Sequence, residues 1–304
     1  MSLEKVLKRD RLCKALTGLS PSEFINLVPT FAKALEETKM NEYLDTLNRK
    51  RKPGGGKKSF VPTVETKFFF ILFYFKCYPT FDLAGWFYNR DGGNVWNMYS
   101  QLVPVLEATL GKKMVLPARS IGSIDEFFAI FPEAKEVFID GTERPIQRSK
   151  DKKRQKANYS GKKKRHTRKN IVITNRKRKI GILTKTTEGK EHDFSIVKNE
   201  RLPDHIPKKV RIRVDNGFQG IQKEFPGHLV SIPTKKPKGK ELSNTVKERN
   251  KSKSRVRILV EHAIGGIKRY GIVSNVFRNR TEGSDDTAIY LSSGLWNYHL
   301  AETS

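Results

Sequence analysis

The N-terminal part of the chain carries apolar residues at helical spacing. The segment Ser20 to Glu23 resembles a helix cap with proline in the first turn. The apolar residues that follow fall on one helical face: Phe24, Leu27, Val28, Phe31 and Leu35. This pattern predicts a helix over residues 21 to 38.

Three more apolar segments predict helices after this one, over residues 63–77, 81–89 and 94–110. Pro79 breaks the first from the second, and the turn Arg90-Asp-Gly-Gly93 precedes the last. Short helices with a tight turn before the last have the outline of a helix-turn-helix. We therefore predict that residues 1–130 form a helical DNA-binding domain with a helix-turn-helix.

Two further features bear on the interpretation of residues 1–130 as a DNA-binding domain. The candidate recognition helix carries Trp96, Asn97, Tyr99, Ser100 and Gln101 but no lysine or arginine, so a plain helical domain, with Trp96 and Tyr99 in its core, stays an open alternative. Between the first helix and the others, Arg49 to Lys58 combines a charge run with glycines and predicts a flexible basic loop.

From residue 131 onward the pattern changes to alternating strands and helices. Strands are predicted over residues 136–140, 171–175, 180–186, 210–214 and 229–233, and helices over residues 193–199, 217–224 and 245–270. Three leading strands followed by helix, strand, helix, strand and helix are the order of a ribonuclease-H-like fold. We predict an α/β domain over residues 131–304, with a mixed sheet flanked by helices and the first and fourth strands as neighbours.

The net charge of the chain limits the kinds of molecule that it is expected to bind. The chain of 304 residues has 60 lysines and arginines against 32 aspartates and glutamates, a formal net charge of +28. For a folded chain this favours a nucleic acid first and an anionic membrane surface second. The most apolar stretch, Phe68 to Phe75, is about half the roughly 18 residues that a membrane-spanning helix needs. The N-terminus lacks a secretory pattern and the two cysteines are isolated, so we expect a cytoplasmic protein without disulfides.

Three acidic residues stand out against this positive charge. Asp140 ends the apolar run 137–139, Asp215 ends the alternating run 210–214, and Glu261 falls within the last predicted helix. Neighbouring strands would bring Asp140 and Asp215 face to face. A single aspartate at a strand end is more often a turn or cap residue, but carboxylates that converge on a basic protein suit divalent cations acting on a phosphodiester.

The helix with Glu261 has a clear phase at about 100° per residue. Its apolar residues form one stripe, which we expect to pack on the sheet: Val256, Val260, Ala263, Ile264 and Ile267. Arg257, Glu261 and Lys268 lie at the rim of that stripe. Glu261 would thus lie near the strand ends, while Arg257 and Lys268 could meet a phosphate.

The segment between Arg148 and Lys169 holds twelve cations and one acid, Asp151. A charge run is usually a solvated loop, but so many cations beside the first strand are better explained by DNA phosphates. The candidate DNA contacts here are Lys162, Lys163, Lys164, Arg165 and Arg168. The histidines fit no zinc-ligand spacing, and Glu143 and Asp193 are left outside the catalytic set.

These residues resemble the insertion-sequence transposases of the DDE superfamily, particularly the group named after insertion sequence five, which has an N-terminal helix-turn-helix. Three segments carry the resemblance: Phe138-Ile-Asp-Gly-Thr-Glu143, Val214-Asp-Asn-Gly-Phe-Gln-Gly220 and Arg257-x3-Glu261-x6-Lys268. The likeness extends from about residue 20 to residue 280. The family signature has a tyrosine where this chain has Ser254, so a role for that tyrosine does not carry over.

The resemblance implies that Asp140, Asp215 and Glu261 are the catalytic ligands of two Mg²⁺ or Mn²⁺ ions. It also implies hydrolysis at transposon ends, transfer of the 3′-OH into target DNA, and a homodimer on double-stranded DNA in the nucleoid. Two alternatives stay open. One is a stand-alone nuclease of the same fold; the other is a domesticated transposase that only binds DNA as a regulator.

Overall fold

The computed structural model describes residues 2–45, 59–239 and 241–303. The predicted basic loop Arg49 to Lys58 lies outside them. The chain divides into two compact units, which we call the helical unit (Met1–Leu116, Arg269–Asn275 and Asn297–Ser304) and the sheet unit (Pro117–Lys268 and Val276–Trp296). The division into domains at residue 130 stays a prediction.

The described residues of the helical unit begin with six helices: α1 Leu3–Leu7, α2 Asp10–Thr17, α3 Pro21–Leu44, α4 Val64–Cys77, α5 Phe81–Tyr88 and α6 Gly92–Lys112. The predicted cap of α3 is confirmed, because the Ser20 hydroxyl accepts from the Glu23 amide and the Glu23 carboxylate accepts from the Ser20 amide at 2.6 Å. Phe24 and Phe31 pack on Phe68 of α4, with ring centroids 4.8 and 4.9 Å apart. The helix runs on to Leu44, beyond the predicted end at residue 38.

A tight turn joins α5 to α6. The Arg90 amide donates to the Gly85 carbonyl at 2.8 Å, and the Asp91 carboxylate caps α6 by accepting from the Gly93 amide at 2.7 Å. A Cβ at Gly85 would lie 2.4 Å from the Arg90 carbonyl oxygen, so only glycine fits this turn. The helices predicted over residues 63–77, 81–89 and 94–110 are each confirmed to within two residues at either end. On α6, Trp96 is exposed whereas Tyr99 belongs to the core.

Where the structure describes the sheet unit, it has seven strands: β1 Glu136–Pro145, β2 Tyr159–Ser160, β3 Arg165–Thr174, β4 Ile180–Leu183, β5 Thr187–Glu188, β6 Arg211–Arg213 and β7 Val230–Ser231. Its helices are α7 Ile124–Ile130, α8 Lys152–Asn158, α9 Asp193–Asn199, α10 Ile221–Glu224 and α11 Asn244–Lys268, with 3-10 turns at Leu202–His205 and Asn216–Phe218. The chain ends with α12 Gly271–Ser274 and α13 Ser284–Thr303.

The strands form one mixed sheet in the order β2-β3-β1-β6-β7, with β4 and β5 also paired to β3. β1 is antiparallel to β3 and parallel to β6, which is in turn parallel to β7. The predicted hairpin between β3 and β4 is confirmed. So is the neighbourhood of the first strand and the strand that ends before Asp215.

The central hairpin is longer than its apolar pattern predicts. β1 continues past Asp140 to Pro145, and β3 begins at Arg165, because their polar residues pair from Gly141↔Ile171 to Pro145↔Thr167. The prediction lacks α1, α2, α7, α8, α12 and α13, and its single helix over residues 217–224 is instead a 3-10 turn at Asn216–Phe218 followed by the short α10. α8 is a charged helix without an apolar stripe, and α13 buries residues all round, so neither shows a helical period.

Apolar residues of one face of the sheet form a core with α9. Val137 and Ile139 of β1 meet Ile171 and Ile173 of β3 and Ile196 of α9 there. Because side chains alternate between the two faces of a strand, Phe138 and Asp140 point to the opposite face. Within the described ranges, no helix has both the length and the apolar character needed to cross a membrane.

Candidate active site

Asp140 and Asp215 lie side by side at the same end of the sheet. The parallel ladder between β1 and β6 pairs Val137 with Ile212 and Phe138 with Arg213. Each aspartate follows two residues beyond the last of these pairs, so equal steps along two parallel strands bring both carboxylates to one edge. The predicted encounter of these two residues, which are 75 positions apart in sequence, follows from this register.

Asp215 ends its strand and starts a turn. Its carboxylate Oδ1 accepts from the Gly217 amide at 2.8 Å and caps the 3-10 turn Asn216–Phe218. The predicted turn at Asn216-Gly217 is confirmed. The cap holds the half-buried carboxylate at the strand end beside Asp140.

Asp140 is the more buried of the two aspartates, with 16% of its side chain exposed. Its Oδ1 accepts from the Gly141 amide at 2.8 Å, and its Oδ2 accepts from Arg257 Nη2 at 3.2 Å. Burial raises the pKa of Asp140 to about 6; Arg257 opposes that rise, and the neighbouring charge of Asp215 adds to it. Two carboxylates close together in a poorly solvated place favour either a proton or a cation.

The helix α11 brings Arg257 to this pair. Its predicted apolar stripe is confirmed, with Val260, Ala263 and Ile267 buried. Arg257 sits at the edge of the stripe and reaches Asp140, while its Nε is buried without a hydrogen-bond partner. The Arg257 guanidinium places a single positive charge beside the Asp140 carboxylate and keeps one N–H group without a hydrogen-bond partner. It therefore replaces only in part a cation of higher charge.

Lys268 lies at the C-terminal end of α11 and is half-buried. Burial lowers the pKa of its ammonium, Lys163 lowers it further, and Glu143 and Asp140 act in the opposite direction. The charge of Lys268 therefore interacts both with the carboxylates of the site and with the basic turn between β2 and β3. The exposed cations of this turn are Lys162, Lys163, Lys164 and Arg165.

Glu261 occupies the next turn of α11 after Arg257, on the same side of the helix, and is exposed. Among the residues that the structure describes, no three Asp, Glu, His or Cys side chains stand close enough together to hold one metal ion. The structure thus brings Asp140 and Asp215 together but not the third carboxylate. The oxygen donors of the two aspartates are of the kind that a hard divalent cation takes.

Two further acids near β1 lie on its other face. Asp193, the first residue of α9, pairs with Lys169 at 3.1 Å and packs on Gly141, where an added Cβ would lie 2.6 Å from its carboxyl carbon. Glu143 accepts from the Thr167 hydroxyl at 2.5 Å. Both carboxylates are engaged in contacts within the sheet unit, on the side away from Asp140.

A buried polar network was missed by sequence reasoning. Arg144, only 3% exposed, donates to the amide oxygen of Asn170, to the Thr186 hydroxyl at 3.1 Å and to Asp285 of α13 at 3.3 Å. Arg168, a candidate DNA contact, also pairs with Asp285, at 3.4 Å. Alternate residues of a strand lie on the same face, so the polar residues at 140, 142 and 144 could have indicated that Arg144 shares a face with Asp140. The partners of Arg144 come from distant segments and could not be read in this way.

Comparison with known families assigns a class to the segment that holds this mixed sheet and its carboxylate edge. A family model described as DDE superfamily endonuclease matches residues 139–297. The chain is also 30% identical over 302 residues to a probable transposase for insertion sequence element IS702 from Microchaete diplosiphon, with 99% of each chain covered. No solved structure matches the chain. The chain belongs to the insertion-sequence transposases of the DDE superfamily.

Proposed function

We propose that this transposase binds transposon-end DNA, cuts it by metal-dependent hydrolysis and joins the freed 3′-OH to target DNA. The observation that carries the proposal is the parallel register of β1 and β6, which leads both strands to aspartates at one edge. A net charge of +28 supports double-stranded DNA as the partner. The identity of the relative supports transposition as the biological outcome.

The sheet supports a ribonuclease-H-like assignment. Three antiparallel strands, β4, β3 and β1, continue into the parallel strands β6 and β7, and helices cover both faces. We propose this fold for residues 131–304. For residues 1–130 we propose a DNA-binding domain in which the tight turn between α5 and α6 belongs to a helix-turn-helix, with the exposed Trp96 on the DNA-facing helix.

Asp140, Asp215 and Glu261 would hold two Mg²⁺ or Mn²⁺ ions. Such ions supply activation of a water or a 3′-hydroxyl and stabilisation of the departing oxygen. Glu261 would complete the ligand set by a change of rotamer or a small shift of α11, since it follows Arg257 by one turn. Arg257 would then release Asp140 and turn to a phosphate oxygen, which also satisfies its buried Nε.

The basic residues would hold the DNA over this edge. Lys268 would contact a phosphate near the cleaved bond, because its ammonium interacts electrostatically with both Lys163 and Asp140. Lys162, Lys163, Lys164 and Arg165 would hold the adjoining backbone from the exposed turn. Arg168 would contribute only if DNA competes with its ion pair to Asp285. Pairing of two transposon ends would require a homodimer, bound to DNA in the nucleoid.

The test is nicking of the DNA that flanks the gene for this protein, with Mg²⁺, with Ca²⁺ and without metal. Asp215→Asn should abolish cleavage and leave DNA affinity unchanged, because the side chain keeps its shape and loses only its charge. Asp193→Asn is the matched control, since that carboxylate lies near Asp140 on the opposite face of β1, and it should retain cleavage. Equal cleavage by the wild-type protein and Asp215→Asn would disprove the proposed site.

The two alternatives predict different products. A stand-alone nuclease would nick the flanking DNA but would not join a pre-cut end with a free 3′-OH to a second duplex. A domesticated regulator would bind the ends and yield no product with any metal. The retention of Asp140, Asp215 and Glu261 favours the enzyme over the regulator.

A further inference from the structure

The sheet unit has an open cleft of about 670 Å³ at the far end of the hairpin formed by β1 and β3. It lies between α8, the strand pair β2–β3 and the segment after β5. The lining residues on which the inference depends are Arg148, Lys152, Lys156, Tyr159, His166 and Lys190. Neither Asp140 nor Asp215 belongs to it, so the cleft is separate from the candidate active site.

The lining is strongly positive. Arg148, Lys152, Lys156 and Lys190 contribute cations, and the lining includes no carboxylate. Two acids adjoin lining residues in the sequence: Asp151 accepts from the Arg154 amide at 2.7 Å as the cap of α8, and Glu191 accepts from the Asn199 side-chain amide at 3.3 Å. Lys152 and Lys156 are one helical turn apart and lie on the same side of α8. Such a lining attracts an anion that carries more than one charge or several phosphate oxygens.

The cleft also offers an aromatic surface. Tyr159 is 43% exposed, and its ring meets the His166 ring edge-on, with centroids 5.6 Å apart. The two residues are directly opposed in the antiparallel pair β2–β3, which holds the tyrosine ring in position. One side of the tyrosine is therefore supported while part of its surface stays open to a flat ligand.

Hydrogen bonds hold the walls of the cleft in place. Arg148 donates through Nε and Nη2 to the Gln155 side-chain oxygen at 3.1 and 3.0 Å, and Gln155 donates to the Ser149 carbonyl at 2.7 Å. The Lys190 amide donates to the Ala157 carbonyl at 3.0 Å. Arg148 keeps donors for a ligand, because these bonds use only two of its five N–H groups.

We propose that this cleft binds one unpaired nucleotide of a DNA strand, with its base stacked on Tyr159 and its phosphates held by the four lining cations. The inference rests on the proposed function, because it assumes DNA as the partner. The backbone of an intact duplex needs cations but neither an aromatic surface nor a recess. A base has a flat face that stacks on such a ring, and the cleft volume lies within the usual range for small-ligand sites.

The position of the cleft predicts where that nucleotide lies. The Ile146 amide donates to the His166 carbonyl at 3.0 Å, so the cleft begins about six residues beyond Asp140 along β1. At about 3.3 Å per residue this is about 20 Å. A DNA backbone that follows β1 at about 3.4 Å per nucleotide would place the unpaired nucleotide about six positions from the cleaved bond.

The experiment measures DNA affinity without metal, so that cutting does not interfere. The probes are end duplexes that are fully paired or carry one unpaired base about six positions from the cleavage site. We expect the wild-type protein to favour the unpaired probe by about 5- to 150-fold, the range that base stacking on an aromatic ring supplies. Tyr159→Ala should remove that preference, and Tyr159→Phe should keep it.

Charge variants provide a second arm. Lys152→Gln with Lys156→Gln should weaken binding of the unpaired probe by more than Lys153→Gln with Arg154→Gln, which neutralises two exposed cations of the same helix that do not line the cleft. Thermal unfolding of each variant should match the wild type, since these side chains are exposed. Equal affinity of the two probes for the wild type, or an unchanged preference in Tyr159→Ala, overturns the inference.

Two outcomes separate this inference from the proposed function. Metal-dependent nicking that is lost in Asp215→Asn, together with no effect of Tyr159, leaves the active site intact and refutes only the cleft. Absence of any DNA binding refutes both. Binding of a free nucleoside monophosphate that depends on Tyr159, without preference for unpaired DNA, also overturns the inference by assigning the cleft to a small molecule.

Discussion

Asp140→Asn should stabilise the fold of this transposase when metal is absent. The pKa of Asp140 is raised to about 6 from an ordinary value of 3.8, so its carboxylate is disfavoured in the folded state. Burial is the main cause, and Asp215 adds to it. The asparagine side chain has nearly the same shape but carries no charge, and its one oxygen can accept from either the Gly141 amide or Arg257, which offsets part of the gain.

The difference between these pKa values corresponds to about 3 kcal/mol, at about 1.4 kcal/mol per tenfold change. Because the folded protein holds this proton more tightly than the unfolded chain, the wild type is most stable below the unfolded pKa. Stability falls as the pH rises from about 4 to about 6 and stays low above that. The gain from Asp140→Asn should therefore be absent near pH 4 and reach about 1–3 kcal/mol above pH 7.

The assay is urea unfolding of both proteins with a chelator present, at several values of pH between 4 and 8. Glu261→Gln is the matched control, since it removes an exposed carboxylate of the same proposed set and should change stability by less than about 0.5 kcal/mol. An Asp140→Asn protein that is equal to or less stable than the wild type at pH 7.5 would refute the electrostatic account of this site.

Three other predictions concern the two units and the DNA. Arg144→Met should cost about 3–5 kcal/mol of unfolding free energy, because it leaves buried partners unpaired; a loss below about 1 kcal/mol by urea titration would contradict this. Gly85→Ala should destabilise by about 1–3 kcal/mol through the clash with the Arg90 carbonyl, whereas Gly265→Ala on α11, where a Cβ meets open space, should be neutral or stabilising in thermal melts. Lys163→Gln should reduce the slope of log affinity against log salt concentration by about 0.9, and an unchanged slope would exclude a phosphate contact.

Local pattern predicted the elements of the site well. The runs that end at Asp140 and Asp215 are short and apolar or alternating, and the stripe of α11 has a clear helical period. These features depend on which side of one element is buried, and that information is present in a few neighbouring residues. The order of strands and helices then predicted that β1 and β6 are neighbours, which the parallel register confirms.

Polar and long-range features could not be predicted in this way. The extension of β1 to Pro145, the burial of Arg144 and the ion pair between Arg168 and Asp285 depend on side chains from segments far apart in sequence. The helix α8 has no apolar stripe, so a charge run and a cleft-lining helix look alike in sequence. The structure of such segments is set by the residues that they contact rather than by a periodic pattern of apolar residues.

The sequence by itself thus determined the elements, their buried faces and the strand ends that carry carboxylates. The reason is that burial on one side of an element makes apolar residues repeat with the period of a helix or a strand, and this repeat is visible within each segment. Only the tertiary structure decided which charges meet. It placed Arg257 on Asp140, left Glu261 exposed on the next turn, and put Asp193 on the opposite face of β1. Those outcomes depend on distances between separate elements, which set how strongly charges interact and which no single segment encodes.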